Sequence, residues 1–219
     1  MGSNTVVQAF LDRAAALASR PALWREEGDA VRPVLWREGQ QQVTRLARGL
    51  VAAGLEPGEA VGVLGGADWP LVALAAMAAG GVPAVLDPRW PGEALASAAA
   101  SSRLRFLVVG ADHEERGAAL REGLPQLRGA VSPEGGGGMV ALASLLQSGD
   151  GLPSGTLGAR LEKLEPASPG AVFFSGGASG APRPALASHA NLLWTTGQLA
   201  RLIGVSRNDV LLSLLPPAY

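Results

Sequence analysis

A short run of small and hydroxyl-bearing residues between Phe174 and Arg183 is the part of the sequence best suited to chemistry. Glycines let backbone N–H groups approach a phosphate closely, serine hydroxyls add donors, and an arginine adds a fixed positive charge. The candidate phosphate ligands are Ser175, Gly176, Gly177, Ser179, Gly180 and Arg183. Glycine and serine are also common in plain surface loops, so composition alone leaves that alternative open.

Other chemistries fit this run poorly. It lacks the spacing of a Walker phosphate loop, the Gly-x-Ser-x-Gly spacing of a nucleophile elbow and the glycine pattern of a dinucleotide site. The chain has no cysteine, and its two histidines, His113 and His189, lie far apart in sequence. The acidic neighbours of His113 favour a solvated helix start, so we predict no metal site.

The elements around the loop predict where it lies. It follows a buried strand at residues 170–174 and precedes a helix at about residues 189–203, with a last strand at 210–215. Upstream, apolar runs at residues 60–64, 82–86 and 106–109 alternate with helical segments, which is typical of parallel strands joined by helices. The sequence therefore predicts an α/β fold with a mainly parallel sheet flanked by helices. The loop should lie at the carboxyl end of a strand, where such sheets bind ligands.

Local signals add four expectations. Thr5 and Asp68 are predicted to cap helices, and residues 22–36 to form a hairpin. The Gly, Ser and Pro content of residues 147–169 favours a surface loop or a connection between subdomains.

Composition indicates which classes of partner and which cellular compartment fit this chain. Hydrophobic residues make up 47% of the chain, charged residues 17%, and the net charge is −1, which favours a buried core and offers no basic surface for nucleic acid. The uncharged residues 69–86 are interrupted by Gly80, Gly81 and Pro83, so we predict a helix, a turn and a strand there rather than a membrane span. The absence of cysteine favours a reducing, cytoplasmic location.

Set in register, the segment from Phe174 to Arg183 resembles the phosphate-binding signature of adenylate-forming enzymes, roughly Tyr-Thr-Ser-Gly-Thr-Thr-Gly-x-Pro-Lys-Gly. Residues 78–91, 188–192 and 215–219 are similar to further family segments in the same order. The resemblance covers nearly the whole chain. It is to the N-terminal part of the large domain of ligases such as acyl-CoA synthetases and peptide-synthetase adenylation domains.

The resemblance implies an enzyme that activates a carboxylic acid with ATP and Mg²⁺ and passes the acyl group to coenzyme A or to carrier-protein pantetheine. We favour a fatty or aromatic acid and coenzyme A. An amino-acid adenylation domain and a non-catalytic relative used as a binding module stay open. Arg183 takes the place of the family's lysine, and His189 and Asn191 are expected to brace the loop. Ala178 and Pro184 depart from the signature and remove two donors to phosphate.

The resemblance also suggests a division of the chain. Residues 1–169 are expected to form an α/β subdomain with a flexible connection near 147–169, and residues 170–219 the phosphate-loop strand and the start of an incomplete next segment. The catalytic residues, including a glutamate for magnesium and a lysine, are expected downstream of Tyr219, which makes this chain a fragment. We therefore do not expect these 219 residues alone to adenylate an acid.

Overall fold

The computed structural model describes residues 4–27, 30–66, 68–175, 182–206 and 209–212. The first elements are helix α1 (Val6–Ala16), strands β1 (Pro21–Glu27) and β2 (Ala30–Leu35), and helix α2 (Trp36–Ala52). The antiparallel pairing of β1 with β2 confirms the predicted hairpin.

The middle of the chain alternates strands with helices. In order, it forms β3 (Ala60–Leu64), α3 (Trp69–Ala78), β4 (Val82–Leu86), α4 (Gly92–Ser101), β5 (Leu104–Val109), a 3₁₀ turn (Ala111–His113) and α5 (Glu114–Gly123). Then follow β6 (Gly129–Ser132), β7 (Val140–Ala141), α6 (Leu142–Asp150), α7 (Thr156–Leu161), β8 (Pro169–Ser175), β9 (Arg183–Ser188) and α8 (His189–Leu202).

Seven of the described strands form one large sheet in the order β7-β6-β5-β3-β4-β8-β9. All neighbouring pairs are parallel except β8 and β9, which are antiparallel. The predicted α/β class with a mainly parallel sheet is therefore confirmed.

Both faces of the sheet are covered, as the alternating side chains of β5 demonstrate. Phe106 and Val108 pack in a cluster with α1, α2, α3 and α6, whereas Leu107 and Val109 pack in a second cluster with α4 and α5. A strand that is buried on both sides needs apolar residues at every position, which explains the continuous apolar runs in the sequence.

The two predicted helix caps have different outcomes. Thr5 caps α1, because its Oγ1 accepts the N–H of Gln8 at 3.2 Å. Asp68 occupies the N-cap position of α3 but makes no capping hydrogen bond. Its Oδ1 lies 2.5 Å from Nη2 of Arg25 on β1 instead. A charged partner on a neighbouring element thus replaces the local backbone donors as the partner of the carboxylate.

Glycine in residues 147–169 reflects packing as well as loop structure. Residues 147–150 complete α6, and α7 lies within the same stretch. At Gly149 a Cβ atom would lie 2.6 Å from the backbone nitrogen of Gly49, so this glycine lets α6 approach α2 closely. The division of the chain near these residues stays a prediction.

The predicted strand at residues 210–215 is not present where the structure describes that stretch. Residues 209–212 form neither helix nor strand, and 213–215 lie outside the described residues. The side chains of Val210, Leu211 and Leu212 are exposed. An apolar run forms a strand only where a neighbouring strand supplies backbone partners. Within the described ranges, no helix is long and apolar enough to cross a membrane.

Candidate functional site

The antiparallel pair of β8 and β9 presents the candidate phosphate loop at its open end. Ser175 and Arg183 are paired across the two strands, and the Ser175 hydroxyl donates to the Arg183 carbonyl at 3.5 Å. Both residues are exposed. Gly176, Gly177, Ser179 and Gly180 lie outside the described residues.

The sheet places this open end beside the end of β4. Strands β8 and β4 are parallel neighbours, paired at Val172 and Ala84, so their carboxyl ends lie at the same edge. The indole of Trp90, in the turn after β4, contacts the Phe174 ring edge-on with a centroid distance of 5.3 Å. The turn after β4 and the end of β8 are therefore held together by an aromatic contact.

The turn after β4 is fixed by an internal ion pair. Asp87 is buried, and its carboxylate accepts hydrogen bonds from the backbone N–H of Arg89 at 2.9 Å and from Nη2 of Arg89 at 2.9 Å. The bonds from Arg89 hold the pKa of Asp87 below its usual value, against the opposing effect of burial. Arg116 of α5 also donates to the carbonyl of Trp90 at 2.5 Å. The turn after β4 is thus held in place by the hydrogen bonds of Arg89 and Arg116.

The fixing roles of Trp90, Arg89 and Arg116 were not anticipated from the sequence. The segment Asp87-Pro88-Arg89-Trp90 entered only as part of a family resemblance. The available signal was Asp87, a polar residue directly after a buried strand. Side chains that follow parallel strands lie at the same edge of the sheet, so such a residue is a candidate for contacts there.

His189 and Asn191 begin α8, directly after β9. The Ser188 hydroxyl oxygen accepts the N–H of Asn191 at 3.2 Å, and Oδ1 of Asn191 accepts the N–H of Ser188 at 3.0 Å, which forms a capping box. His189 is fully buried, and its Nδ1 accepts the N–H of Val6 at 3.4 Å. Burial lowers the pKa of His189, because a charged imidazole would lose its hydration there.

Arg183 and His189 lie at opposite ends of β9 and differ in how far they are committed to protein contacts. Arg183 is exposed, and its guanidinium group has no hydrogen-bond or ion-pair partner among the described residues. The Nε2 atom of His189 is buried and likewise has no partner within the described ranges. The first group is available to an anion from solvent, whereas the second is enclosed by the fold.

A magnesium ion finds no ready set of protein ligands in this part of the chain. Within the residues that the structure describes, no three His, Cys, Asp or Glu side chains lie together in a way that could hold a metal ion. Magnesium is commonly held by one or two carboxylates together with substrate phosphates.

Comparison with known sequences matches residues 10–219 to the profile of the family described as AMP-binding enzyme. The long-chain-fatty-acid–CoA ligase ACSBG2 of Rattus norvegicus is 23% identical over 98% of this chain, and the match covers 34% of that protein. The chain thus spans about a third of the length of this curated relative.

Solved structures share the fold. A protein from Rhodopseudomonas palustris, provisionally assigned as a long-chain-fatty-acid CoA ligase, superposes with a TM-score of 0.79 and 21% identity, over 97% of this chain and 51% of that one. The fatty acyl-adenylate ligase from L. pneumophila, solved with acyl adenylate and pyrophosphate, gives a TM-score of 0.75 and 17% identity, over 98% of this chain and 36% of its own. With a family profile matched over nearly its whole length, this chain belongs to the AMP-binding enzyme family.

Proposed function

We propose that this chain is the N-terminal, phosphate-binding portion of an ATP-dependent acid–thiol ligase. The complete enzyme would activate a fatty or aromatic carboxylic acid as an acyl-adenylate and transfer the acyl group to coenzyme A. Ser175, the glycines after it, Ser179 and Arg183 would hold the β- and γ-phosphates of ATP.

The position of the β8–β9 loop carries this proposal. Ser175 and Arg183, which flank the loop, lie at the carboxyl edge of the parallel strands β4 and β8, where α/β proteins bind their ligands. Arg183 lies at the foot of that loop, exposed and without a partner among the described residues. A guanidinium group in such a place suits a bidentate contact with phosphate oxygens. The family match and the names of the relatives support the same activity.

The chemistry assigned to these residues is binding and charge stabilisation. When bound, ATP supplies the adenylyl group, and the carboxylate of the acid attacks its α-phosphate while pyrophosphate departs. The loop donors and Arg183 would hold the departing phosphates in line and neutralise the charge that develops on them. The rigid turn of Asp87 and Arg89 would keep the neighbouring wall fixed during this step.

Two alternatives differ in the acid or in activity itself. An amino-acid adenylation domain would use the same phosphate loop, and pyrophosphate exchange with fatty, aromatic and amino acids in the complete protein would rank the acids. A non-catalytic relative is favoured by Ala178 and Pro184, which remove a hydroxyl and a backbone donor from the loop.

Calorimetric titration with magnesium tripolyphosphate tests the phosphate site without requiring an adenosine pocket. We expect one saturable site whose affinity falls about tenfold or more in Arg183→Ala, because one charge-assisted contact with an anion contributes about 1.5–3 kcal/mol. Arg201→Ala, which removes an equally charged side chain from the end of α8, is the matched control and should bind normally. If Arg183→Ala binds as tightly as the unmodified chain, the assignment of Arg183 is wrong.

A further inference from the structure

A cavity lies at the carboxyl ends of β3 and β5. It has a volume of about 620 Å³, and neither Ser175 nor Arg183 lines it. We call it the β3–β5 cavity. Strand β4 separates β3 from β8 in the sheet, so the cavity and the loop occupy different places along one edge. The volume falls in the range of about 300–1,000 Å³ that small-molecule sites occupy.

The strand order makes this position significant. From β3 the chain moves to β4 on one side, and from β4 it crosses back to β5 on the other side of β3. The crevice between β3 and β5 is therefore the point at which the strand order reverses. Ligands of open α/β sheets bind at this kind of switch point, because the loops from the two strands diverge there.

The floor of the cavity is apolar and belongs to the core. Its walls come from β3, β5, β6, α3 and α6, with the side chains of Val63, Val72, Val108, Val131, Leu142 and Leu146. Val63, Val108 and Val131 are themselves buried. A hydrocarbon group placed here would be removed from water on several sides, which favours ligands with an apolar body.

The shape of the cavity is set by close backbone contacts. A Cβ atom at Gly110, just after β5, would lie 2.6 Å from the backbone nitrogen of Gly66, just after β3. Gly65 has a φ of +67°, and a Cβ atom there would meet the ring of His113 at 1.9 Å. The turns after β3 and β5 are thus locked together, and the cavity exists before any ligand arrives.

Two arginines, Arg25 and Arg45, line the cavity. Arg25 binds Asp68 through Nη2 at 2.5 Å, but its Nε is buried and has no acceptor among the described residues. Because that N–H has no surface accessible to a ligand, Arg25 contributes to the cavity wall through its ion pair with Asp68. Arg45, on α2, lines the same cavity, is exposed, and makes no ion pair or side-chain hydrogen bond to any described residue.

Two of the three acidic residues that line the cavity have hydrogen-bond or ion-pair partners among the described residues. Glu38 accepts the backbone N–H of Leu35 at 2.9 Å, and Asp68 is paired with Arg25. Asp112 is the lining acid that lacks such a partner within the described part of the chain. Arg45 is therefore a charged lining group whose donors are free of partners among the described residues, and a ligand that meets it must bring acceptor atoms.

We propose that the β3–β5 cavity binds a small organic anion with an apolar body and one carboxylate or phosphate group. The apolar body lies on the valine and leucine floor, and the anionic head meets the guanidinium group of Arg45. This site does not depend on the proposed ligase activity, since neither Ser175 nor Arg183, the described residues that flank the phosphate loop, lines it.

Calorimetry with octanoate, octyl phosphate and octylammonium, each below its aggregation concentration, tests this proposal. We expect one saturable site for at least one of the two anions and weaker binding of octylammonium. Comparing octanoate with octyl phosphate decides which anionic head the site prefers. Arg45→Ala should weaken the anion about tenfold or more, and Asp112→Asn should strengthen it. Arg37→Ala, on the same helix but outside the cavity, is the matched control.

A second variant tests the apolar part of the site. Val72→Trp places a large side chain in the cavity and should abolish binding while circular dichroism still reports the native spectrum. Arg183→Ala should leave the affinity unchanged. Octyl phosphate binding that is lost in Arg183→Ala and kept in Arg45→Ala would belong to the β8–β9 loop and would overturn the proposal. Tighter binding of octylammonium, or no saturable binding of either anion, would also overturn it.

Discussion

Strands β5 and β9 have the same length and lie in the same sheet, yet their surroundings are opposite. In β5 every side chain except Arg105 is buried, whereas in β9 the first four residues are exposed. Strand β5 lies between β3 and β6 and has helices on both faces. Strand β9 ends the described sheet and has one strand neighbour, β8.

The difference separates the parts of the molecule that stabilise the fold from the parts that present the candidate site. Apolar burial around β3, β4 and β5 provides most of the stabilising contacts. The β8–β9 pair contributes fewer buried side chains but carries the loop. Because a binding loop must expose its backbone to a ligand, we expect the end of the sheet to tolerate changes that the centre does not.

The largest difference in stability is expected when one leucine in each region is replaced by alanine. Leu107 of β5 is 0% exposed and Leu186 of β9 is 64% exposed. Leu107→Ala leaves a cavity in the core and should lower the free energy of unfolding by about 2–5 kcal/mol. Leu186→Ala removes a side chain that is already hydrated and should change it by no more than about 0.5 kcal/mol. Urea unfolding followed by circular dichroism measures both values.

The slope of the unfolding free energy against urea concentration serves as the check on this pair. It should be the same for both variants, because the surface exposed on unfolding is nearly unchanged. A loss at Leu186 as large as that at Leu107 would show that the end of the sheet contributes as much stability as its centre.

A smaller effect is expected where two turns touch. At Gly110, an added Cβ would lie 2.6 Å and 2.7 Å from backbone atoms of Gly66, which cannot rotate away. Gly110→Ala should therefore cost about 1–3 kcal/mol of unfolding free energy. The control is Gly158 in α7, which has no atom within 4 Å of its added Cβ. Gly158→Ala should raise the free energy of unfolding by about 0.5–1 kcal/mol, since alanine favours the helix.

Thermal unfolding of the two glycine variants checks both signs. If Gly110→Ala is as stable as the unmodified chain, the turns after β3 and β5 have room to separate, and the β3–β5 cavity is less rigid than its contacts indicate. The comparison also tests whether a glycine in this chain serves close packing or is merely tolerated.

The central strands of the sheet could be predicted from the sequence because each is a continuous apolar run. The apolar runs at β3, β4 and β5 do not alternate with polar residues, which indicates strands that are buried on both faces. The helices between these strands imply parallel pairing. The cap at Thr5 was also predictable, because its partner lies three residues away. Such features depend on neighbours in sequence.

Features that depend on distant partners could not be predicted. Asp68 meets Arg25 across 43 positions, and Gly149 meets Gly49 across a hundred, so neither role is visible in a local pattern. Strands β6 and β7 are short and lack a continuous apolar run. In the candidate site, Ser175 and Arg183 were proposed from loop composition and stay a prediction, whereas the contacts among Trp90, Phe174 and Arg116 required the fold.

The smallest expected effect concerns His189, a buried residue at the otherwise exposed end of the sheet. Burial lowers the pKa of His189 in the folded chain below its ordinary value of 6.5. The unfolded chain therefore binds a proton more readily as the pH falls below about 6.5, and the folded state loses stability in that direction. Above about pH 6.5 the histidine is neutral in both states and contributes no pH dependence. Its contribution to the slope cannot exceed about 1.4 kcal/mol per pH unit.

His189→Asn separates this contribution from other ionisations, because the Asn side-chain oxygen can replace Nδ1 as the acceptor for the Val6 N–H. The variant should be less stable at pH 7.5, since the smaller side chain leaves a void beside α1. Between pH 6.5 and 5.5 its free energy of unfolding should fall less steeply than that of the unmodified chain. Equal slopes in urea unfolding would mean that the His189 imidazole is protonated in the folded chain as readily as in the unfolded one. The hydrogen bond between His189 and the N–H of Val6, which joins α8 to α1, would then be no more sensitive to acid in the folded chain than an exposed histidine.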